Sequence, residues 1–467
     1  MDQSEFIGNA VAQFMGGNTT YTSYNEHWQY LYESYIGGEE YRNAQHLTRY
    51  NLETPGEYGA RLKNAVLTNH CSSIVSVYTS FLFKNPPDRF WGSFSDMPQL
   101  EQFLEDADKD GRSFNNFMKD CAAYASVFGM VWVVVSKPET GAITRADELA
   151  QGVRPYVSML TPLVVLDWEY DRAEDGHYHL GYFKYLEDIN GNESVVKEWY
   201  MDRIVTTIVD QENDVVKDRY EEPNELMHLP IVPVYNKRSL MRGVGISDIS
   251  DIADAQRMIY NLINEIDQGV RLDGHPSIVT TENTRLGAGA GSVIQIGEDL
   301  DPGLKPYILQ SSGANIKAVL DTIDTIVSSI DKQANTGAIR ATESRTMSGV
   351  AMEVEFGLLS ARLAEKGAQL ALAEEQILEH FGHYYDINWD GRIKYPESFN
   401  IRNRQSDLDF LLKANTVSVS EEYKKEVARQ ITKLIVDEDD IEIFEKIINQ
   451  INTTNTFSSN ITDGNTG

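Results

Sequence analysis

Residues 247–271 read SDISDIADAQRMIYNLINEIDQGVR. Ile249, Ile252, Ile259, Ile263, Ile266 and Val270 recur at helical spacing on one stripe, and Ser247 with Asp248 is a strong N-cap signal. Twenty-five helical residues reach about 37 Å. A second stretch, 314–333, repeats the pattern with Ile316, Val319, Ile323, Ile326 and Ile330. Between the two lie some forty residues rich in glycine and β-formers, including Gly287-Ala-Gly289-Ala-Gly291. The spacing predicts two long helices bracketing a small β insert. After a polar stretch, residues 349–381 predict the longest helix, about 50 Å.

Upstream, the text is mixed. Residues 58–83 step by three or four to Pro86-Pro87, and 97–128 predict a helix interrupted near Asp110-Gly111. Val131–Val135 is too short and β-branched for a helix. Five short β-like runs follow, 156–160, 163–168, 182–186, 195–200 and 204–209, separated by turn signals such as Asp175-Gly176 and Asn190-Gly191. They predict an antiparallel meander, so the fold class is α+β. Downstream, 393–402 reads as a strand, 407–415 and 420–449 as helices. The Asn/Thr/Ser/Gly-rich tail, 451–467, is expected to be disordered.

Composition narrows the function. The chain has 467 residues, and 41 basic against 71 acidic side chains leave a net charge of −30. That balance argues against a generic nucleic-acid binder, which shows a basic face. No run of apolar residues is long enough for a membrane span, and the acidic start lacks a signal peptide's pattern. Two cysteines, Cys71 and Cys121, imply buried thiols in a reducing compartment rather than a disulfide framework.

Sites for chemistry are scarce. Gly243-Val-Gly245 lacks the third glycine of a dinucleotide loop, and 286–293 lacks the Gly-Lys-Ser/Thr of a phosphate loop. No nucleophile elbow or zinc-protease spacing occurs, and His177 with His179 reads as a solvated pair. No enzyme and no cofactor are expected. Asp386, Asn388, Asp390, Gly391 and Glu397 satisfy a calcium-loop pattern, yet Pro396 and the alternation after Ile393 suggest a tight turn into a strand. Asp106-x-Asp108-x-Asp110-Gly111 has Phe117 where the bidentate Glu belongs.

Charge texture singles out residues 332–348. Lys332, Arg340 and Arg345 face only Glu343, a net of +2 in an acidic chain. Such a segment between two helices fits either a solvated connector or a sliding contact for a polyanion.

The order of these elements resembles that of tailed-bacteriophage portal proteins, the head-to-tail connectors, over nearly the whole chain. Residues 61–87 (RLKNAVLTNHCSSIVSVYTSFLFKNPP) are similar to the family's early helix ending at proline. Residues 122–138 (AAYASVFGMVWVVVSKP) resemble its helix, glycine and valine-strand element, and 154–170 (RPYVSMLTPLVVLDWEY) its RPY…W segment. LPIVPVYN at 229–236, followed by Gly243 and the helix carrying Asn261 and Asn264, resembles the approach to the portal stem. Ser348-Gly349-Val-Ala-Met352 is similar to the start of the long helix.

The resemblance implies a wing (1–240), a first stem helix (241–271), a clip (272–313) and a second stem helix (314–333). A tunnel loop (334–348), a long tunnel helix with the wing return (349–399) and a helical crown (400–450) would follow. It implies a homo-oligomeric ring, typically of twelve, around a channel for double-stranded DNA, sited at a unique capsid vertex of the virion after assembly in the host cytoplasm. Implied partners are the large terminase subunit, a head-tail adaptor, and the major capsid and scaffolding proteins; no membrane is involved. Lys332, Arg340 and Arg345 would face the channel; the low apolar content of the segment predicts that the side chains of Arg340 and Arg345 are solvated. Ile252, Ile259, Ile263 and Ile266 would form ring interfaces, since two helices alone cannot cover the stripe on both sides. An acidic wall suits this role, because tight phosphate binding would stall a moving duplex. A different head or neck protein of a phage, or a calcium-binding module, are the alternatives.

Overall fold

The computed structural model describes residues 10–138, 147–148, 151–274, 277–279, 301, 307–309, 314–340, 349–397, 399, 411–414, 420–435, 446–448 and 450–451. The chain divides into two compact units, Met1–Phe399 and Asn400–Gly467. The fold is α+β, as expected.

The first unit is built around strand β2 (Met130–Ser136), whose residues are buried as far as Val135. It pairs antiparallel with β3 (Tyr156–Leu160) on one side and β9 (Ile231–Tyr235) on the other, Val133 facing Met159 and Val232. Pro233 sits in β9 because that strand is an edge, where a missing N–H costs little. Helices α7 (Phe114–Phe128) and α11 (Gly349–His383) pack on this sheet, with α2 (Thr19–Ile36) and α5 (His70–Leu82) beside α7. Cys71 and Cys121 are free and buried in this core, and burial pushes both thiols up, Cys71 to about 12.

The second sheet is a five-stranded meander, β4 (Val165–Arg172), β5 (Tyr178–Asn190), β6 (Glu193–Tyr200), β7 (Arg203–Asp210) and β8 (Val215–Pro223). Trp132 joins the two sheets, its ring 4.9 Å from that of Phe183 and 6.2 Å from that of Trp168. Two expectations are corrected here. The 156–160 run belongs to the first sheet, not to the meander. Strand β8 was missed because five of its nine residues are charged and all from Lys217 to Pro223 are exposed, which is how an exposed edge avoids pairing with another chain.

The 58–83 stretch is likewise two helices, α4 (Pro55–Asn64) and α5. Asn69 interrupts the pattern by accepting from Ser72 N at 2.8 Å as the cap of α5. The interruption near Asp110-Gly111 is present between α6 (Pro98–Glu105) and α7, with Gly111 at φ +86°.

The two long helices are α8 (Ser250–Gly274) and α9 (Ala314–Ala334), packed on each other. Of the stretch between them, β10 (Ser277–Val279) and β11 (Tyr307–Leu309) are described, an antiparallel pair. The Gly287–Gly291 run lies outside the described residues. Strand β12 is only Arg392–Lys394, paired with β1 (Asp88–Phe90), shorter than the strand expected over 393–402. In the second unit, helix α12 (Glu421–Ile435) buries Val427 and Thr432, and the 451–467 tail is outside the described residues but for Ile451. No helix among the described residues is long and apolar enough to cross a membrane.

Candidate functional site

Helix α8 starts inside the body. Ser247 Oγ donates to Val127 O at 2.6 Å and accepts from Ile249 N at 3.1 Å. Gln256, fully buried, donates to Ser34 O and accepts from Cys71 N, both at 2.9 Å, so one side chain joins α8 to α2 and α5. Ile252 and Ile259 are 2% and 1% exposed. Their burial is complete within one chain, which corrects the expectation that neighbouring subunits finish the whole stripe. Ile263 and Ile266 are only partly covered. Where α8 passes Gly269 it faces Ile316 of α9, at a spacing where a Cβ would make ordinary van der Waals contact at 3.6 Å. Val270 and Leu320 remain 53% and 48% exposed.

Asp248, the expected cap, does something else. Its carboxylate pairs with Arg362 at 2.9 Å and with Lys366, both from α11. The Lys366 ammonium also donates to Ser126 Oγ at 3.0 Å and to Asn236. Burial would raise the Asp248 pKa, but the Lys366 and Arg362 cations outweigh it and hold the carboxyl below its ordinary range. One buried ion cluster thus locks the end of α7, the end of β9, the start of α8 and the middle of α11. The Gly243-x-Gly245 motif is part of the same junction. A Cβ on Gly243, at φ +76°, would strike Trp168, and one on Gly245 would strike the Gly129 backbone. Close packing, not phosphate binding, requires these glycines.

The basic segment after α9 is partly tied down. Helix α10 (Gly337–Arg340) follows Asn335, and Tyr78 OH donates to Ala334 O at 2.6 Å. Arg340 pairs with Asp331 at 2.9 Å and donates to His70 Nδ1 at 2.7 Å, its side chain 14% exposed. It is therefore not the solvated loop cation expected from sequence: a hydrogen-bonded partner in α5 outcompetes water. Burial, then the Arg340 charge, pushes His70 down to about 4. Lys332 is exposed, and Arg345 lies outside the described residues.

The calcium pattern does not assemble. Asp390 Oδ1 accepts from Ser93 N at 2.7 Å, Asn388 O accepts from Ser93 Oγ at 3.3 Å, and Glu397 lies on the surface beside Lys394 at 3.2 Å. Asp386 stands exposed at φ +55° in a turn leading to β12. Among the described residues, the one group of three or more His, Cys, Asp or Glu whose donor atoms converge is His228, His380 and His383. Sequence reading missed it because His228 stands about 150 positions from the other two. The sole signal is His380-x-x-His383, one face of a helix end. Burial holds His228 below its ordinary range and His380 at about 3, so both imidazoles are neutral. A cleft of about 700 Å³ opens beside them, lined also by Tyr170, His177, His179 and Glu379.

No family model matches the chain, and no curated protein matches it. Solved structures do. A chain from the neck of an empty gene transfer agent (GTA) particle, computed with C6 symmetry, is 11% identical with a TM-score of 0.46, over 77% of this chain and 90% of that one. A chain from the virion of a native GTA particle is 11% identical with a TM-score of 0.43, over 76% and 88%. A chain from the neck of a native GTA particle computed with C12 symmetry is 10% identical with a TM-score of 0.42, over 84% and 98%.

Proposed function

We propose that the chain is the subunit of a portal ring, the channel at one capsid vertex through which double-stranded DNA is packaged and ejected. The observation that carries this is the order of α8, the β10–β11 pair, α9 and α11, the succession that the sequence resemblance implies for stem, clip, stem and tunnel helix. The exposed apolar residues support it. Val270, Leu320, Val354 and Leu358 lie on these three helices, 48–60% exposed, where a neighbouring subunit would cover them. On this reading the net charge of −30 keeps the wall from gripping phosphates, and Lys332 and Arg345 supply the weak cationic contacts. Arg340 holds the base of the loop instead. The terminase, adaptor, capsid and scaffolding proteins are the partners, and the ring resides in the virion.

Electron microscopy of the purified full chain tests this, with native mass spectrometry for stoichiometry. Rings with a central hole are expected, at a mass near twelve times 52.7 kDa. A protein that stays monomeric at micromolar concentration and physiological salt would sink the proposal.

A further inference from the structure

His380 and His383 stand three apart on the last turn of α11, so their rings project from one face. His228 comes from the loop between β8 and β9, and that loop is rigidly built. Asn224, buried, donates to Tyr200 O at 3.0 Å and to His228 O at 2.9 Å, and accepts from Leu226 N at 3.2 Å. The three donor nitrogens lie within 4.8 Å of one another. Three imidazoles on zinc at 2.0–2.1 Å would place their nitrogens about 3.3 Å apart in a tetrahedron, and His383 Nδ1 already lies 3.0 Å from His228 Nε2.

We propose that His228, His380 and His383 form a binding site for a first-row divalent metal of the zinc class, pinning the end of α11 to the β8–β9 loop. Three details of the hydrogen bonding support it. His228 Nδ1 lies 2.8 Å from Leu226 O; a carbonyl can only accept, so Nδ1 carries the proton and Nε2 presents a lone pair. A ligating histidine is ordinarily oriented in this way, by a hydrogen bond from its other nitrogen. His380 Nδ1 is buried with no hydrogen-bond partner, a state that costs free energy unless a ligand satisfies it. His383 Nδ1 lies 3.0 Å from His228 Nε2 and donates to it. On metal binding that proton moves to His383 Nε2, freeing Nδ1 as the third donor, with no net proton released. The fourth position opens on the cleft beside Glu379, where water completes the shell. Imidazole-only donors favour zinc, copper or nickel over calcium or magnesium.

The test uses the full chain after treatment with EDTA, titrated calorimetrically with zinc chloride and, separately, with cobalt chloride followed by visible absorption. One metal per chain is expected, with a raised melting temperature and the intense visible bands of tetrahedral cobalt. His228→Ala and His383→Gln should each weaken binding on the order of 100-fold, while His177→Ala, on the cleft wall, should not. Absence of uptake, a pale octahedral cobalt spectrum, or undiminished affinity in both ligand variants would overturn the site. Should either variant fail to fold, the wild-type cobalt spectrum decides alone. None of these readouts depends on ring formation.

Discussion

From Ser250 to Tyr260, helix α8 lies in a core made by its own chain: Ile252, Ile259 and Tyr260 are almost wholly covered, and Gln256 is hydrogen-bonded on both ends of its amide. Beyond Tyr260 the same apolar stripe continues through Ile263, Ile266 and Val270, yet exposure rises to 53% at Val270. The sequence period is the same in both halves. What differs is what surrounds them: α2 and α5 hold the first through Gln256, while α9 passes the second at Gly269. An amphipathic stripe states that a face will be covered, not by which chain.

That contrast is sharpest in paired substitutions. Ile259→Asp should destabilise the monomer by about 5 kcal/mol, because it adds a buried, unpaired carboxylate to the loss of packing. Thermal unfolding and circular dichroism would register this before any question of assembly. Ile266→Asp should leave the monomer folded with its melting point close to wild type, and abolish higher-order species in native mass spectrometry. A melting loss as large as that of Ile259→Asp would erase the distinction between the two halves.

Next in size is the junction that roots the closed half. Asp248→Asn strands Lys366 and should cost about 3–5 kcal/mol in urea unfolding. Lys366→Met should cost less, because Arg362 still neutralises Asp248. Equal losses would mean the lysine is the indispensable partner.

Acid sensitivity probes the contact at the foot of the helix pair. The folded pKa of His70, about 4, lies below the ordinary 6.5, so the unfolded chain binds more protons between those values. The stability due to neutral His70 is complete above pH 6.5 and is lost as pH falls toward 4. His70→Gln should flatten the stability–pH curve in that window. An unchanged curve would show that the buried setting of His70 does not hold it neutral in solution.

The smallest effect is expected at the open turn. Glu397→Gln should change stability by less than about 0.5 kcal/mol, with or without millimolar calcium, as measured by melting temperature. A calcium-dependent rise in wild type that the variant lacks would revive the calcium loop.

Period and punctuation alone placed most elements. The long helices, β2, the 156–160 strand and the hairpins of the meander were legible because each has a strong period ended by Gly, Pro or Asn turns. Strand β8 was not, because its charged face carries no apolar alternation. The site residues divide in the same way. Ile252, Ile259, Ile263 and Ile266 were identifiable as one stripe, yet only packing shows that the first two are finished within the chain.

Arg340 looked like a solvated cation because its segment has little apolar content, and the residues that bind it, Asp331 and His70, come from α9 and from α5, the latter some 270 positions earlier. The histidine cluster is the extreme case. Its i, i+3 pair is visible on α11, but the third member reaches it only once β9 has been laid beside β2 and α11 packed across both. Sequence by itself determined periodicity, charge and turns, which are local properties of the backbone and of a solvated side chain. Tertiary structure decided burial, ion pairing and convergence of ligands, because each depends on which distant atoms displace water from a given group.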